Sequence, residues 1–402
     1  MLKALVLLQL ADIMKMIKIK EHVFVTKLAG FEHSEYIQPN ETKKRIDKTD
    51  IPMVQGKNMR DGIFVEEYDW YINKEISDKL IRSKLTKECI LIPYVGSNLG
   101  EVGIFYHPYD CHLASNIAKI ELIDDYFDIE FLKYYLQSPI GQSYLFQLKQ
   151  GSAQPNITMD SIRETLIIDL PKEKQKKISR FLKTFDDKIK NNRRILFLLN
   201  KQLEDTFSFW FYQNGIPING KANYEHSNQL PKAFKNYTFE ELGTITTGKK
   251  DANFATKNGE YNFYTCSRST MKCDSPGFNC SAIIIAGNGD FNVKHYTGEF
   301  NAYQRTYVIE PKNIKYYALM YINAKNMVDS FKSGSNGSIV KFITLDDIKN
   351  INVVIPDDDK YLDYLNSIVF SIEKYEIEIE KIEKLKQELL PLLFNGQIEI
   401  ED

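Results

Sequence analysis

The stretch that decides the fold is residues 178–210, ISRFLKTFDDKIKNNRRILFLLNKQLEDTFSFW. Its mainly apolar residues recur at alternating steps of four and three. This spacing puts them on one face of a helix and lets that face pack against a second helix as a coiled coil. The seam residues are Ile178, Leu182, Phe185, Ile189, Asn192, Leu196, Leu199 and Leu203. We therefore predict a long helix that needs a helical partner.

A second heptad pattern near the C-terminus supplies that partner. Its seam residues are Ile368, Ile372, Tyr375, Ile379 and Ile382. Residues 172–194 hold ten Lys or Arg against three Asp or Glu, whereas residues 357–386 hold nine acids against five lysines. A basic helix beside an acidic one is favourable. We predict that the two helices pair with each other in antiparallel fashion.

Asn192 interrupts the otherwise apolar seam of the first helix. A lone buried amide at such a position fixes the register and the partner of a coiled coil, at some cost in stability. The alternative is that the seam is partly exposed at this point. The sequence leaves both interpretations open.

Short motifs recur in the same order in the two halves of the chain. The pairs are an apolar strand ending in glycine (90–96 and 283–287), a second strand (116–120 and 305–309), an aromatic-rich helix (129–136 and 314–322), a small polar loop (150–156 and 333–338), and a strand closed by proline (166–171 and 353–356). A long helix follows each proline and ends at Asn-Gly, where glycine supplies the positive φ that stops a helix. One folding plan is therefore used twice.

The predicted fold class is α+β, with two similar globular domains separated by two long antiparallel coiled-coil helices in a pseudo-two-fold internal repeat. The predicted segments are a first globular domain at 1–170, a central spacer helix at 171–215, a second globular domain at 216–356 and a C-terminal spacer helix at 357–402. At the start of the first domain, residues 10–13 are a weak counterpart of residues 242–245.

The composition indicates a globular protein of the cytoplasm. The 402 residues are 43% hydrophobic and 12% aromatic, enough for two or three packed domains. Five sparse cysteines do not suggest a secreted disulfide scaffold. We find no apolar run of the roughly 18 residues that a membrane span requires. The net charge of -2 does not by itself indicate a nucleic-acid binder.

Four motifs, in this order along the chain, carry a resemblance to a known family. They are residues 151–157 (GSAQPNI), 178–192 with FDDKIKNN at its end, 209–211 (FWF) and 389–397 (LLPLLFNGQ). The chain resembles the specificity subunits of Type I restriction-modification systems, in which two target-recognition domains alternate with two spacer helices. The resemblance covers essentially the whole chain.

The resemblance implies a non-catalytic subunit that binds double-stranded DNA. It implies that each globular domain reads one half of a bipartite, asymmetric target, and that the chain binds two methyltransferase subunits and, through them, a restriction subunit that is an endonuclease and translocase. The assembled complex would be an adenine-specific DNA methyltransferase and an ATP-dependent endonuclease. S-adenosylmethionine, ATP and magnesium would belong to the partner subunits, and no cofactor to this chain. A helix over residues 178–210 would be about 50 Å long, enough to hold two readers at least one DNA turn, about 34 Å, apart.

Candidate DNA contacts are polar and basic residues in loops, because such side chains bind phosphates and base edges. In the first domain they are Ser97, Asn98, Lys149, Gln150, Ser152, Gln154 and Asn156. In the second they are Thr247, Lys249, Lys250, Arg268, Asn288, Lys294, Lys332, Ser335 and Asn336. Each of these loops is also explained by an ordinary turn.

Several catalytic chemistries lack their sequence signatures. We find no glycine motif for S-adenosylmethionine, no Asn/Asp-Pro-Pro-aromatic motif for a flipped base, and no phosphate-binding loop for ATP. The acids at 357–359 lack the Glu-x-Lys of a metal-dependent nuclease and are interpreted as a helix N-cap. Cys266, Cys273 and Cys280 with His295 do not have the spacing of a common zinc finger, so no metal site is predicted.

Two other functions compete with DNA recognition. One is a coiled-coil scaffold or adaptor whose globular domains bind protein instead of DNA. The other is a stand-alone nuclease, which the missing acidic constellation disfavours. Salt-sensitive DNA binding discriminates between DNA recognition and the scaffold.

Overall fold

The computed structural model describes residues 15–60, 62–106, 108–146, 157–212, 234–257, 259–333 and 342–400. The chain forms two compact units. The first consists of Met1–Ile189 and Lys381–Asp402, and the second of Lys190–Glu380. Both divisions fall inside long helices, so each unit holds part of both. The domain boundaries at residues 170, 215 and 356, which treat the helices as separate segments, stay predictions.

The first unit contains twelve strands among its described residues. They are β1 (Met16–Lys18), β2 (Val23–Lys27), β3 (Ile51–Val54), β4 (Met59–Arg60), β5 (Ile63–Phe64), β6 (Tyr71–Ile72), β7 (Lys84–Leu85), β8 (Cys89–Pro93), β9 (Gly103–Phe105), β10 (Cys111–Leu113), β11 (Ile117–Leu122) and β12 (Leu166–Ile168). Besides a helical segment over residues 30–37, its α-helices are α1 (Lys74–Lys79), α2 (Ile129–Gln137), α3 (Pro139–Leu145), α4 (Met159–Arg163) and the part of α5 (Lys172–Phe207) that ends at Ile189.

The main sheet of the first unit has the strand order β2-β11-β8-β9, and all neighbours are antiparallel. Its central strand β8 reads Cys-Ile-Leu-Ile-Pro and is buried along its whole length. Ile90 and Ile92 face one hydrophobic core together with α2, while Cys89 and Leu91 face another. A strand buried on both faces reads as a continuous apolar run, which explains why the sequence signal was clear there.

A second, smaller sheet covers the other face of β8. Its order is β6-β3-β10-β7, and β3 runs parallel to β10. Most of this sheet comes from the chain between β2 and β8, residues 28–88. The corresponding segment of the second unit, residues 248–277, is roughly half as long. We call residues 28–88 the insert.

The second unit contains eight strands among its described residues. They are β13 (Phe234–Thr238), β14 (Gly243–Thr247), β15 (Tyr261–Tyr264), β16 (Met271–Cys273), β17 (Phe278–Ala286), β18 (Val293–Ala302), β19 (Thr306–Pro311) and β20 (Asn352–Pro356). Its helices are the remainder of α5, α6 (Phe239–Leu242), α7 (Tyr317–Ser333), α8 (Leu345–Lys349) and the part of α9 (Lys360–Phe394) that ends at Glu380.

The two units share one topology, which confirms the predicted α+β class and the internal repeat. The order β14-β19-β17-β18 matches β2-β11-β8-β9, and the antiparallel pair β13-β20 matches β1-β12. The short helices α4 and α8 begin alike, because Thr158 and Thr344 each accept a hydrogen bond from the backbone N–H three residues later. Residues 10–13 lie outside the described residues, and β2 is the strand that occupies the place of β14.

Each unit builds its core against segments of both long helices. In the first unit, Leu182 of α5 and Phe394 of α9 are buried with Phe131 of α2, and the rings of Phe394 and Phe131 lie 5.4 Å apart. In the second unit, Leu203 of α5 and Leu365 of α9 belong to one core. After α9, Gly396 has φ +70°, as the Asn-Gly signal predicted. In the described part of the chain, no helix is long and apolar enough to cross a membrane.

His112 gives the first unit a pH-dependent stability. Its imidazole on β10 is fully buried, 3.0 Å from the carbonyl oxygen of Leu113 and 3.2 Å from Oγ of Ser83. Burial lowers the pKa of His112 to about 4, whereas the unfolded chain keeps a value of about 6.5. The unfolded state therefore binds the proton more tightly, and stability is lost as the pH falls from the unfolded pKa towards the folded one.

Lowering the pH from about 7 to about 5 is expected to cost about 2 kcal/mol of unfolding free energy through this one group. Denaturant titrations of the wild type and of His112→Gln at both pH values measure the effect. The variant loses stability at neutral pH but shows a smaller drop on acidification. An equal drop in the two proteins would contradict a buried neutral imidazole.

Candidate DNA interface and helix pairs

Three loops of the second unit meet at one end of its main sheet. β14 ends at Thr247, β17 ends at Ala286 and β19 begins at Thr306. Because β19 is antiparallel to both neighbours, these points lie at the same end. The backbone N–H of Gly248 donates to the carbonyl of Thr306 over 3.0 Å. We call this set of loops the sheet-end surface of the second unit.

Two glycines allow the loops to approach so closely. A Cβ at Gly248 would lie 2.2 Å from the carbonyl oxygen of Ala302, and one at Gly287 would lie 2.7 Å from that of Arg305. Both contacts are with backbone atoms, which cannot swing away as a side chain can. The Gly-Lys-Lys sequence after β14 therefore brings Lys249 and Lys250 next to the loop that carries Arg305.

The structure brings six candidate residues of the second domain to this surface. Thr247 is the last residue of β14, and Lys249 and Lys250 follow that strand. Arg268 lies in the loop after β15, Asn288 lies in the loop after β17, and Lys294 lies near the start of β18. Arg268 is ion-paired with Asp290 over 2.6 Å, which joins two of these loops. The backbone of Lys250 forms a bridge with Tyr303. These six residues therefore lie on one surface of the second unit, which a single ligand can contact.

The cationic side chains of this surface differ in their exposure to solvent. Lys249 and Arg268 are exposed. Lys294 is half-buried, its ammonium donates to the carbonyl of Ser267 over 2.7 Å, and burial lowers the pKa of Lys294 to about 8. A cavity of about 430 Å³ lies beside Lys294. Lys272 also lines this cavity and is ion-paired with Glu380. Lys249 and Arg268 are therefore more accessible than Lys294 to phosphates or bases, although Arg268 is also paired with Asp290.

Arg305 is a member of this surface that the sequence analysis missed. It lies in the turn between β18 and β19 and is exposed. The sequence signal was present, since an arginine directly precedes the strand Thr306–Pro311, but we interpreted it as the first residue of the strand. Its position beside Gly287 depends on a long-range strand pairing that a single sequence does not display.

The first unit has a similar surface at the matching end of its main sheet. β2 ends at Lys27, β8 ends at Pro93, and the loop after β8 carries Ser97 and Asn98. The Asn98 amide is engaged: it donates to the carbonyl of Met59 over 2.9 Å and accepts from Ser97. The ammonium of Lys27, which the sequence analysis did not select, lies 4.8 Å from the ring centre of Tyr94.

The other candidate contacts cannot be placed. Lys149, Gln150, Ser152, Gln154, Asn156, Ser335 and Asn336 lie outside the described residues, as does the side chain of Lys332. They remain predictions.

In the first unit, α5 and α9 meet at Asp186, a carboxylate whose side chain is 12% exposed. Its oxygens accept hydrogen bonds from Lys133 (3.1 Å) and Tyr134 (2.7 Å) of α2 and from Lys386 of α9 (2.5 Å). Burial opposes ionisation, but the ammonium groups of Lys133 and Lys386 outweigh it and hold the pKa of Asp186 below its ordinary value. This cluster ties both long helices to the globular part of the unit.

In the second unit, Glu373 of α9 occupies a similar position. It accepts from Nδ1 of His295 on β18 over 2.9 Å and from the hydroxyl of Tyr317 on α7. Nearby, the amide of Asn366 accepts from the backbone N–H of Ala318 and donates to the carbonyl of Lys315. His295 therefore faces a carboxylate. Among the described residues, no three His, Cys, Asp or Glu side chains form a group that could hold a metal ion.

The predicted seam residues lie on buried or half-buried helix faces. Buried ones are Leu182, Ile189, Asn192, Leu203, Ile368, Ile372 and Ile379. Half-buried ones are Ile178, Phe185, Leu196, Leu199, Tyr375 and Ile382. Asn192 is fully buried, so the interpretation that the seam is exposed there is wrong. Its amide has no hydrogen-bond partner within the described part of the chain, which costs about 1–3 kcal/mol.

The charge argument for helix pairing needs a correction in the first unit. It placed a basic first helix against an acidic second one. The buried ion pair that joins the helices there has the opposite polarity, with the acid Asp186 on α5 and the base Lys386 on α9. The helices run antiparallel within the unit, so α5 up to Ile189 meets α9 from Lys381 onwards, beyond most of the acidic stretch.

Removing the Asp186 carboxylate leaves the buried ammonium group of Lys386 without its ion-pair partner and leaves Lys133 paired with Glu130 alone. Asp186→Ala is therefore expected to lower the free energy of unfolding by about 3–5 kcal/mol. The matched control is Asp187→Ala, since this neighbour on α5 is exposed and its loss should change stability by no more than about 0.5 kcal/mol. Chemical denaturation of the full chain measures both. Equal shifts for the two variants would contradict the assigned role of Asp186.

The chain is similar to known proteins along most of its length. A family model described as Type I restriction modification DNA specificity domain matches residues 33–201 and 231–389. The chain is 36% identical over 179 residues to the EcoDI specificity subunit of Escherichia coli, a match that covers 43% of this chain and 40% of that relative. It is 23% identical over 397 residues to the MjaIX specificity subunit of Methanocaldococcus jannaschii, covering 88% of each.

A solved structure is similar along nearly the whole chain. The crystal structure of a Type I restriction-modification S subunit from M. genitalium covers 94% of this chain and 96% of its own, with a TM-score of 0.56 and 18% sequence identity. At this identity the likeness concerns the fold.

Proposed function

This chain belongs to the Type I restriction-modification DNA specificity family, and from this we propose that it recognises a bipartite, asymmetric DNA target, with each unit reading one half. In this proposal the chain is a non-catalytic subunit acting in the cytoplasm. It would direct an adenine-specific methyltransferase and an ATP-dependent endonuclease, whose S-adenosylmethionine, ATP and magnesium are bound by the partner subunits.

The observation that carries the proposal is the sheet-end surface of the second unit. Exposed Lys249, Arg268 and Arg305 meet Asn288 and Thr247 there. Lysine and arginine bind phosphates, arginine also binds the O6 and N7 edge of guanine, and asparagine binds the edge of adenine. One surface therefore combines groups for backbone contacts with groups that distinguish bases. The matching end of the first unit carries Lys27, Tyr94 and Ser97.

The test uses the chain assembled with its methyltransferase subunits. Lys249→Ala and Arg305→Ala are each expected to lower the affinity for the DNA target by roughly ten-fold, the loss of one base or phosphate contact. The control is Lys349→Ala, because Lys349 pairs with Glu240 beside the first residues of β14, away from the sheet-end surface. Titrations at several salt concentrations provide the measurement.

The outcomes separate the proposal from its competitor. If the wild-type complex binds no DNA in a salt-sensitive manner, the chain is a protein-binding scaffold instead. If it binds DNA but neither substitution weakens binding, the second unit reads DNA through another surface.

We also propose that the long helices bind the two methyltransferase subunits. Contiguous exposed apolar surface on a soluble protein is a mark of an interaction site. On α5, Phe197 is 68% and Leu198 is 53% exposed, next to the buried seam. These two adjacent residues expose apolar surface on a helix that otherwise carries many charges.

Replacing this apolar area with charges should release the methyltransferase. The double variant Phe197→Glu with Leu198→Glu is expected to lower the affinity for that subunit by at least about ten-fold, as hot-spot aromatic residues do. Lys201→Glu is the control, since it changes the net charge by the same amount at an exposed site on α5. Co-purification and analytical ultracentrifugation measure the association. Unchanged assembly of the double variant would place the contact elsewhere.

A further inference from the structure

The insert of the first unit is a structural addition that the second unit has only in a shorter form. It has its own core, in which Ile37, Met53, Ile72 and Leu80 are buried. The insert is therefore a defined platform, and its surface loops are held in place by that core.

One surface loop of the insert is strongly basic. Residues 42–48 read Thr-Lys-Lys-Arg-Ile-Asp-Lys, and every residue from Lys43 to Thr49 is exposed. The loop contains four cations, against the two acids Asp47 and Asp50. Even Ile46 is 79% exposed. A positively charged surface of this kind attracts a polyanion.

The acids of this loop are used to shape it. Asp50 is buried, and one of its oxygens accepts hydrogen bonds from the backbone N–H groups of Ile46 and Asp47. Asp47 accepts from the backbone and hydroxyl of Thr49, which lowers the pKa of Asp47. Arg45 donates to the carbonyl of Asp50. The loop is thus held by its acids, and Lys48 lies exposed beside them.

An open depression of about 560 Å³ lies next to this loop. Its walls include three cationic and three aromatic side chains, those of Arg45, Lys48, Lys74, Tyr68, Tyr71 and Tyr109. The hydroxyls of Tyr68 and Tyr109 lie 2.9 Å apart, and the latter also donates to Glu66 over 2.8 Å. Burial raises the pKa of Tyr109 to about 12, so this ring carries no charge at neutral pH.

The combination of cations beside aromatic carbon fits one ligand in particular. A DNA strand alternates phosphates with sugar rings, and phosphate and sugar contacts make up half or more of protein–DNA hydrogen bonds. We propose that the loop 42–50 and the adjoining depression bind the sugar-phosphate backbone of the DNA, with phosphates on Arg45 and Lys48 and a deoxyribose on Tyr109. This inference rests on the proposed function.

The contact is independent of sequence, because it involves no base edge. It also makes the two halves of the chain unequal, since the shorter segment of the second unit, residues 248–277, has no equivalent of the sequence 42–48. The first unit therefore has a salt-sensitive contact separate from its sheet-end surface, whereas discrimination between bases stays with the sheet-end surfaces.

The experiment measures the salt dependence of DNA binding by the methyltransferase complex. In Arg45→Gln with Lys48→Gln, two phosphate contacts are lost, so the slope of log affinity against log salt should become shallower by about 2. The ratio of wild-type affinity to variant affinity should therefore fall about ten-fold when the salt concentration is raised from 50 mM to 200 mM. The loss should be the same on target DNA and on unrelated DNA of equal length.

The matched control is Lys79→Gln with Lys87→Gln, which changes the charge of the same unit equally. These lysines pair with Glu75 and Glu121, and the slope should stay at the wild-type value. An unchanged slope in the Arg45 and Lys48 variant, or a loss confined to the target sequence, overturns the inference while DNA recognition itself stands. Absence of salt-sensitive binding by the wild-type complex instead overturns the proposed function.

Discussion

One hydrogen-bonded and largely buried carboxylate on a long helix is the interaction on which each unit depends. Asp186 lies between two ammonium groups and a tyrosine hydroxyl, so neither the acid nor the bases remain unpaired away from water. A partner lost from such a cluster leaves a buried charge, which costs far more than an exposed ion pair contributes. Glu373 with His295 and Tyr317 meets the same constraint in the second unit. The helices are thereby locked to the domains that present the loops.

The same loop positions follow from the shared sheet topology. A strand order of β14-β19-β17-β18 places the ends of β14 and β17 beside the start of β19, and the matching order in the first unit does so for β2, β8 and β11. The loop sequences at this end can therefore change without altering the sheet below. The glycines at 248 and 287 are the exception, because backbone atoms occupy the space of a side chain.

Periodic features could be predicted from the sequence, and long-range ones could not. The seam of α5, the repeat and the apolar run of β8 depend on neighbours in sequence or on spacing, which one sequence displays. Asp186 and Asp187 look alike in a sequence, and only the positions of Lys133, Tyr134 and Lys386, distant in sequence, distinguish the paired carboxylate from the exposed one. Arg305 was missed for the same reason, and β2 was not recognised as the partner of β14 because residues 10–13 offered a plausible match. The charges of the two helices were compared over long segments, without asking which part of α5 meets which part of α9 in an antiparallel pair.

The two-sided burial of β8 also determines how the first unit folds. On one face of the strand, Cys89 and Leu91 pack against the smaller sheet, at Val54, Leu85 and Cys111. On the other face, Ile90 and Ile92 face the helices. The insert cannot open without exposing a fully apolar strand to water. The insert and the main sheet of the first unit therefore fold as a single cooperative unit, so a destabilising change in one also destabilises the other.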